Sequence, residues 1–199
     1  MRKIGIVPAA GDSARFGSDK LLADIGPKDP RHGDPILHCT ITSLLSGGVD
    51  DVFVVIRPDM ADAIAAVPII AIATARNVHV LINGMHMNGM FSSIQVGMAA
   101  SEADVYAVIP GDMPFVKPET VRRVMDAWAD ARGIVSPRHQ GKRGHPIAVP
   151  LSLRDEILAS KPTSNLHEVI KKHLSERTDL EVDDPGINRD VDRPEDLTG

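Results

Sequence analysis

Cysteine is almost missing from this 199-residue chain: Cys39 stands alone, so neither an intrachain disulfide nor a cysteine-based zinc site can form. That suits a reducing compartment, and Cys39 reads as a small apolar residue on a helix rather than a nucleophile. Long apolar runs are missing too. The longest, residues 63–75, falls short of the ~18 residues a spanning helix needs and is interrupted by Pro68. The opening MRKIGIVPAAG puts glycines and a proline where a secretory signal would carry its apolar stretch, so a cytoplasmic chain with no membrane segment is expected. Positive charge is not in excess either. Acidic side chains number 27 against 22 basic ones, a net charge of −5, which disfavours nucleic acid as a partner and leaves room for cations gathered locally around small anions.

What is present is the balance of an ordinary globular chain, 43% hydrophobic and 25% charged. With no linker, repeat or low-complexity stretch, residues 1–199 read as one domain large enough to close a core without disulfides or structural metal. Short β-rich runs at Ile4–Val7, Val52–Ile56, Val78–Ile82 and Val105–Ile109 alternate with helical periodicity. The alternation predicts an α/β fold: a mostly parallel, Rossmann-like sheet in a three-layer sandwich, its strands buried on both faces by crossover helices. Helices are predicted where Ile36, Leu37, Ile41, Leu44 and Leu45 recur before Gly47-Gly48, and where Pro118 opens a face of Val121, Val124, Met125 and Trp128. Beyond residue 133 the rhythm loosens. Strands are expected at 133–136, 146–149 and 180–182, and helices at 153–159 and 166–173. Gly26–Pro35, rich in proline and charge, reads as a surface loop rather than a ligand lid.

The segment between Pro8 and Lys20 follows the first strand directly, where open α/β sheets place their ligands. Two common phosphate-binding readings fail there. Five residues separate Gly11 from Gly17, and Lys20 lies three past Gly17, which breaks the Walker pattern; the same two glycines cannot supply the one-three-six spacing of a dinucleotide fingerprint. What remains is a run of small residues that lets backbone approach a nucleotide, with Arg15 and Lys20 supplying positive charge to a polyphosphate.

Residues 9–20 match every specified position of Ala-Ala-Gly-x-Ser-x-Arg-x-Gly-x-x-Lys, and through this motif the chain resembles nucleotidyltransferases of the molybdenum-cofactor cytidylyltransferase type, in the MobA-like superfamily. Asn88–Gly97 is similar to the family's Gly-Met-x-Ser-Ser-Ile segment, Gly111-Asp112-Met113-Pro114 to its metal-binding turn, Gly141–Pro146 to its Gly-Arg-Arg-Gly-His-Pro turn with Lys142 for the first Arg, and Asp183–Leu197 to its terminal signature. The likeness spans nearly the whole chain. It departs at 26–35, at Phe16, where Met is usual, and at residues 161–167, which read Lys-Pro-Thr-Ser-Asn-Leu-His in place of the run typical of molybdopterin-using members.

By that resemblance Ala9, Ala10, Gly11, Ser13, Arg15, Lys20, Gly89, Ser92, Ser93 and Gly111 bind nucleotide. Ser92 or Ser93 is equally placed to cap a helix. Asp112 is a strand-end carboxylate suited either to capping or to Mg²⁺, which takes hard oxygen donors; the resemblance favours the metal and adds Asp192, with Asp190 behind it. Lys142, Arg143 and His145 would meet an anionic acceptor, unless the turn is an ordinary hairpin and His145 only packs. Met85, His86, Met87 and Met90 read as flexible pocket walls rather than a soft-metal site.

The implied reaction is transfer of a nucleoside monophosphate, CMP from CTP first, to a phosphorylated acceptor, molybdopterin first, with release of pyrophosphate. Arg15, Lys20 and Asp112 would be the catalytic groups. A sugar phosphate or small phosphorylated acid is the alternative acceptor. A non-catalytic nucleotide- or cofactor-binding chaperone, delivering its cargo to a receiving enzyme, is the alternative class.

Overall fold

The computed structural model describes residues 1–11, 16, 19–26, 29–65 and 77–197. Ser13 and Arg15 therefore lie outside the described residues, as does most of the apolar run at 63–75. The strands are β1 (Lys3–Ala9), β2 (Asp51–Ile56), β3 (Val78–Ile82), β4 (Val105–Val108), β5 (Ile134–His139), β6 (Lys142–Arg143), β7 (Ile147–Pro150) and β8 (Arg177–Glu181). The helices are α1 (Ile36–Ser46), α2 (Ala61–Ala65), α3 (Met90–Ala99), α4 (Pro118–Ala131), α5 (Arg154–Ala159) and α6 (Leu166–Lys172). Among the described residues no helix is long and apolar enough to cross a membrane.

All the strands join one sheet in the order β3-β2-β1-β4-β7-β5-β6, with β8 on β5. The first four, and the β5–β8 pair, are parallel; β7 runs antiparallel between β4 and β5, and β6 antiparallel on β5. Side-chain alternation builds a core on each face. Ile4, Ile6, Phe53, Tyr106 and Val108 meet Phe91, Ile94 and Met98 of α3 and Ile157, Val169 and Ile170 of α5 and α6. Val7, Ala9, Val52, Val54, Val105 and Ala107 meet Leu37 and Ile41 of α1 and Val121, Val124 and Trp128 of α4. This is the expected three-layer α/β sandwich, and α1 and α4 bury the faces their periodicity predicts. Cys39 is buried on α1, and burial pushes its thiol up to about 11, as an apolar rather than nucleophilic residue requires.

Two expectations needed correction. Among the described residues β3 is the sheet's edge and is not covered on both faces, with Val80 and Ile82 36% and 55% exposed, and exposed His79 stacks on Phe53 at 4.5 Å. An apolar run cannot reveal how many neighbours its strand has. The last strand starts at Arg177 instead of Leu180, because its pairing with β5 (Ile134↔Arg177 to Arg138↔Glu181) extends the ladder through polar residues. Within it, Asp179 accepts from Arg143 Nη2 of β6 at 2.6 Å.

In the segment Gly26–Pro35, the described residues 29–35 lie at the surface, with the segment's ends held together. Its neck is tied by Ile25 N donating to Asp34 O at 2.9 Å and Ile36 N to Ala23 O at 2.9 Å. Arg31, paired with Asp29, donates from Nη1 to the Pro114 carbonyl at 2.7 Å, two residues past Asp112.

The terminal segment is held by a buried carboxylate. Asp184, 1% exposed, accepts from Lys117 N at 2.9 Å, Thr120 Oγ1 at 2.6 Å and Gly186 N at 2.9 Å, joining the start of α4 to the tail. Asp184→Ala strands two buried donors, Thr120 Oγ1 and Gly186 N, and one partly buried donor, Lys117 N; it is expected to lower unfolding free energy by about 2 kcal/mol, read as a drop in urea midpoint at unchanged m-value. An unchanged midpoint would show that the tail is anchored elsewhere.

On α5 and α6, Glu156 accepts from Lys172 Nζ at 2.8 Å, and His173 lies 2.7 Å from Glu156 and 3.0 Å from Glu176. Glu156 and then Glu176 hold the imidazole above its ordinary value of 6.5; Lys172 and then His173 hold Glu156 below its ordinary 4.5. The histidine contribution is complete below 6.5 and fades as pH rises through the elevated folded value, whereas the glutamate contribution is complete above 4.5 and fades as pH falls through the depressed one. The stability advantage of wild type over His173→Gln should therefore shrink between pH 6 and pH 8. Urea melts at the two pH values check this, and a constant difference would contradict it.

Candidate active site

Parallel strands β3, β2, β1 and β4 end side by side. The chain turns from β1 to β2 on one side and places β4 on the other, so the β1/β4 boundary is a topological switch point, where such sheets open a crevice. A cavity of about 610 Å³ lies there. Its floor is Pro8–Gly11 from the end of β1 and Pro110–Asp112 from the end of β4, and its walls include Lys20, Arg57, Gly89 and Ser93. Gly111 N donates to the Pro8 carbonyl at 3.0 Å, and buried Thr40 of α1 donates to the Gly111 carbonyl at 3.1 Å, which fixes the turn carrying Asp112.

Lys20 is the electrostatic centre. Its Nζ donates to Asp112 Oδ2 at 2.7 Å and to Asp192 Oδ1 at 3.2 Å, with 12% of the lysine side chain exposed. Burial works against its charge, but the hydrogen bonds and charges of Asp112 and Asp192 outweigh it and raise its pKa above the ordinary lysine value. Val191 N donates to the Asp112 carbonyl at 2.9 Å, which sets the terminal segment beside the β4 turn. Asp190, on the other side of Val191, is exposed, and its charge bears on His145.

Two carboxylates turned toward one positive centre form a hard-oxygen donor set that could hold a divalent cation, with water and phosphate oxygens at its remaining positions. Asp112 and Asp192 are the residues that would hold it. Among the described residues no group of three or more His, Cys, Asp or Glu forms a self-sufficient metal cage, so other donors would have to come from water and substrate.

The opposite wall is built by α3. Gly89 opens that helix at φ +96°, a conformation that favours glycine, so the helix is capped by backbone geometry and by neither serine. Ser92 turns inward and donates to the Gly89 carbonyl at 2.8 Å; Ser93 lines the cavity. Buried Asn83 donates through Nδ2 to both hydroxyls, at 2.8 Å and 3.0 Å, and accepts from Met85 N at 2.9 Å. Sequence reasoning missed Asn83, although a polar residue directly after an apolar strand was a usable signal. Of the four residues expected to form flexible pocket wall, His86, Met87 and Met90 line the cavity and Met85 does not.

The fold is matched by known proteins. A family model described as the MobA-like NTP transferase domain matches residues 5–178. The chain belongs to that family. Molybdenum cofactor cytidylyltransferase of Escherichia coli K12, a relative of this MobA-like chain, is 23% identical over 125 residues, an alignment spanning 63% of either protein and thus under two thirds of that relative's length. The crystal structure of Rv0371c from Mycobacterium tuberculosis H37Rv is 22% identical, covers 100% of this chain and 97% of its own, and superposes with a TM-score of 0.78. The same mycobacterial protein in complex with manganese covers the same shares at 21% identity and a TM-score of 0.69. The 4-diphosphocytidyl-2C-methyl-D-erythritol synthase of Anaerococcus prevotii is 16% identical over 99% of this chain and 93% of its own, with a TM-score of 0.73. At these identities the solved structures establish the fold.

In this MobA-like chain, the expected acceptor residues sit off the cavity wall. Lys142 and Arg143 are exposed on β6, in a hairpin whose turn residues Gln140 and Gly141 both have positive φ; Arg143 is matched by Asp179. Gly144 and His145 pack on the terminal turn: a Cβ at Gly144 would stand 2.1 Å from the Ile187 carbonyl, and His145 N donates to that oxygen at 2.9 Å. His145 Nδ1 lies 3.2 Å from the Val108 carbonyl, and burial holds its pKa below 6.5 against the pull of that carbonyl and of Asp112 and Asp190.

Proposed function

We propose that this chain is a divalent-metal-dependent nucleotidyltransferase that transfers CMP from CTP to a phosphorylated acceptor, molybdopterin first, with Mg²⁺ as the ordinary ion. One observation carries the reading: Asp112 and Asp192, far apart in sequence, converge on Lys20 beside a cavity whose floor is the small-residue run Ala9–Gly11. Kinship with a cytidylyltransferase supports CTP and the molybdopterin acceptor, and the manganese complex of a structural relative supports a divalent ion.

The chemistry asks little of the protein beyond alignment and charge. An acceptor phosphate oxygen, ionised at neutral pH, attacks the α-phosphorus of the triphosphate; the bond to the β-phosphate oxygen breaks, and pyrophosphate leaves with the electron pair. No general base is required. Lys20, with Arg15, would hold the β and γ phosphates and favour their departure, while the backbone of Ala9–Gly11 and Gly111 would pass close to the nucleotide and Gly89 and Ser93 would face it. Ser92 and Ser13 would support the same segments. Asp112 and Asp192 would hold the divalent ion, which when bound would supply Lewis-acid polarisation of a phosphate oxygen. Lys142 and Arg143, exposed on β6 outside the cavity, would meet only a part of the acceptor that extends beyond it, with His145 packed against the terminal turn beside them; a cofactor-receiving enzyme would be a transient partner.

Residues 161–167 favour a second reading of the acceptor. They lack the run typical of molybdopterin-using relatives, which keeps a sugar phosphate or small phosphorylated acid in play. The deciding experiment measures pyrophosphate release from each ribonucleoside triphosphate with Mg²⁺, with and without molybdopterin and candidate sugar phosphates. Release that needs CTP and molybdopterin, and is lost in Asp112→Ala, is the expected result. Release with a sugar phosphate alone would reassign the acceptor, tight nucleotide binding with no release would point to a binding protein, and no nucleotide binding would sink the reading.

A further inference from the structure

Arg57 has no part in the motifs that point to nucleotide transfer, yet it sits in the cavity wall with its side chain only 13% exposed. The register of the sheet puts it there. Strand β2 runs parallel to β1 with Ile56 opposite Ala9, so the residue after Ile56 emerges beside Ala10 and Gly11. From that position the guanidinium reaches three chain points. Nη1 donates to the Gly11 carbonyl at 2.9 Å, Nη2 to Asp19 Oδ1 at 2.7 Å, and Nε to both carboxylate oxygens of Asp59 at 2.9 Å. Gly11 and Asp19 are the described residues that bracket positions 12–18, and Asp19 is followed at once by Lys20.

We propose that Arg57 is a positioning residue for the triphosphate site: it clamps Gly11 and Asp19 to the end of β2 and so sets the span of the glycine-rich segment and the placement of Lys20. The inference rests on the nucleotide-binding reading of this cavity. A planar fork suits the task, because its two terminal nitrogens hold a carbonyl and a carboxylate at once, which a lysine ammonium on a flexible stem cannot reproduce in the same plane. Asp59 accepts at Nε and fixes the rotation of the fork. The charge of Arg57 is thereby spent on Asp19 and Asp59 rather than offered to an incoming anion.

Two roles for Arg57 predict opposite results at its partner. If Arg57 served as a direct phosphate ligand, removing the Asp19 carboxylate would free its charge and tighten nucleotide binding. A clamp predicts the reverse, since Asp19→Ala cuts one arm even as it removes a negative charge from an anion site. Asp19 makes no side-chain cap to the turn at Lys20–Leu22, so the substitution removes no helix cap.

The test is equilibrium binding of CTP, and of whichever other triphosphate wild type binds best, to wild type, Arg57→Ala, Arg57→Lys, Asp19→Ala and the matched control Arg2→Ala, whose ion pair with Asp51 lies at the opposite end of the strands. Arg57→Ala and Asp19→Ala should each weaken nucleotide binding about ten-fold. Arg57→Lys should recover only part of the loss, and Arg2→Ala should match wild type. In turnover, the KM for nucleotide should rise with that for acceptor unchanged. Tighter binding by Asp19→Ala, wild-type affinity in Arg57→Ala, or an equal rise in both KM values would overturn the proposal. Should Arg57→Ala fail to fold, the sign of the Asp19→Ala effect and the partial recovery in Arg57→Lys still decide it. A wild type that binds no nucleotide would instead remove the functional reading on which the inference rests.

Discussion

Lys20→Gln should move two affinities in opposite directions: the nucleotide-free protein should bind Mn²⁺ about ten-fold more tightly, and its nucleoside triphosphate affinity should fall about 100-fold. The ammonium lies 2.7 Å from Asp112 and 3.2 Å from Asp192, the carboxylates proposed to hold the divalent ion. An incoming metal must displace that cation or sit beside it. Unit charges at such distances interact by about 5–6 kcal/mol per pair at an effective dielectric of about 20, before screening. Asp112 and Asp192 are 21% and 38% exposed, so water screens much of this, and about 1.4 kcal/mol of relief is a fair expectation for an uncharged substitute. The triphosphate loses a charge-assisted contact worth about 1.5–3 kcal/mol. Titration calorimetry with MnCl₂ and separately with CTP reads both. Weaker or unchanged Mn²⁺ binding would show that lysine and metal do not contend for the same carboxylates.

Asp112→Asn is expected to cut kcat for pyrophosphate release about 1000-fold, near 4 kcal/mol of transition-state stabilisation, while leaving the fold intact. Asparagine keeps the volume and one acceptor for Lys20 but removes the negative charge a hard divalent ion requires. The Asp112 turn is held by backbone and by Thr40, not by its own carboxylate, so the thermal midpoint should move little. Asp192→Asn should rank second, being the more exposed carboxylate, and Asp190→Asn third, because Lys20 meets Asp112 and Asp192. Single-turnover kinetics on the three variants establish the order. Loss at Asp190 as large as that at Asp192 would reassign the ligand from the terminal segment.

Motif chemistry was legible wherever it is local. The run Ala9–Gly11 ends a strand because a continuous apolar segment precedes it, and Gly111-Asp112 does so for the same reason; strand ends are where open α/β sheets place ligands, and both segments line the cavity. The paired serines show where local reading stops. Their position at a helix start was plain, yet Asn83 turns their hydroxyls and Gly89 takes over the cap, so adjacent residues of one type have different surroundings. The Gly-Lys-Arg-Gly-His-Pro turn likewise divides: Arg143 pairs outward with Asp179, while Gly144 is pressed against the Ile187 carbonyl.

The amino-acid sequence by itself determined the α/β class, the sites of the principal helices and strands, and the residue types offered to a phosphate and a metal. Periodicity and turn chemistry act over a few residues, so they can be read along a line. Only the tertiary structure decided that Lys20 joins carboxylates 92 and 172 positions away, that Arg57 spans the ends of the glycine-rich segment, and that Asp184 binds the tail to α4. Those contacts depend on strand order and register, which arise from the packing of both sheet faces at once and leave no spacing in the chain from which to recover them.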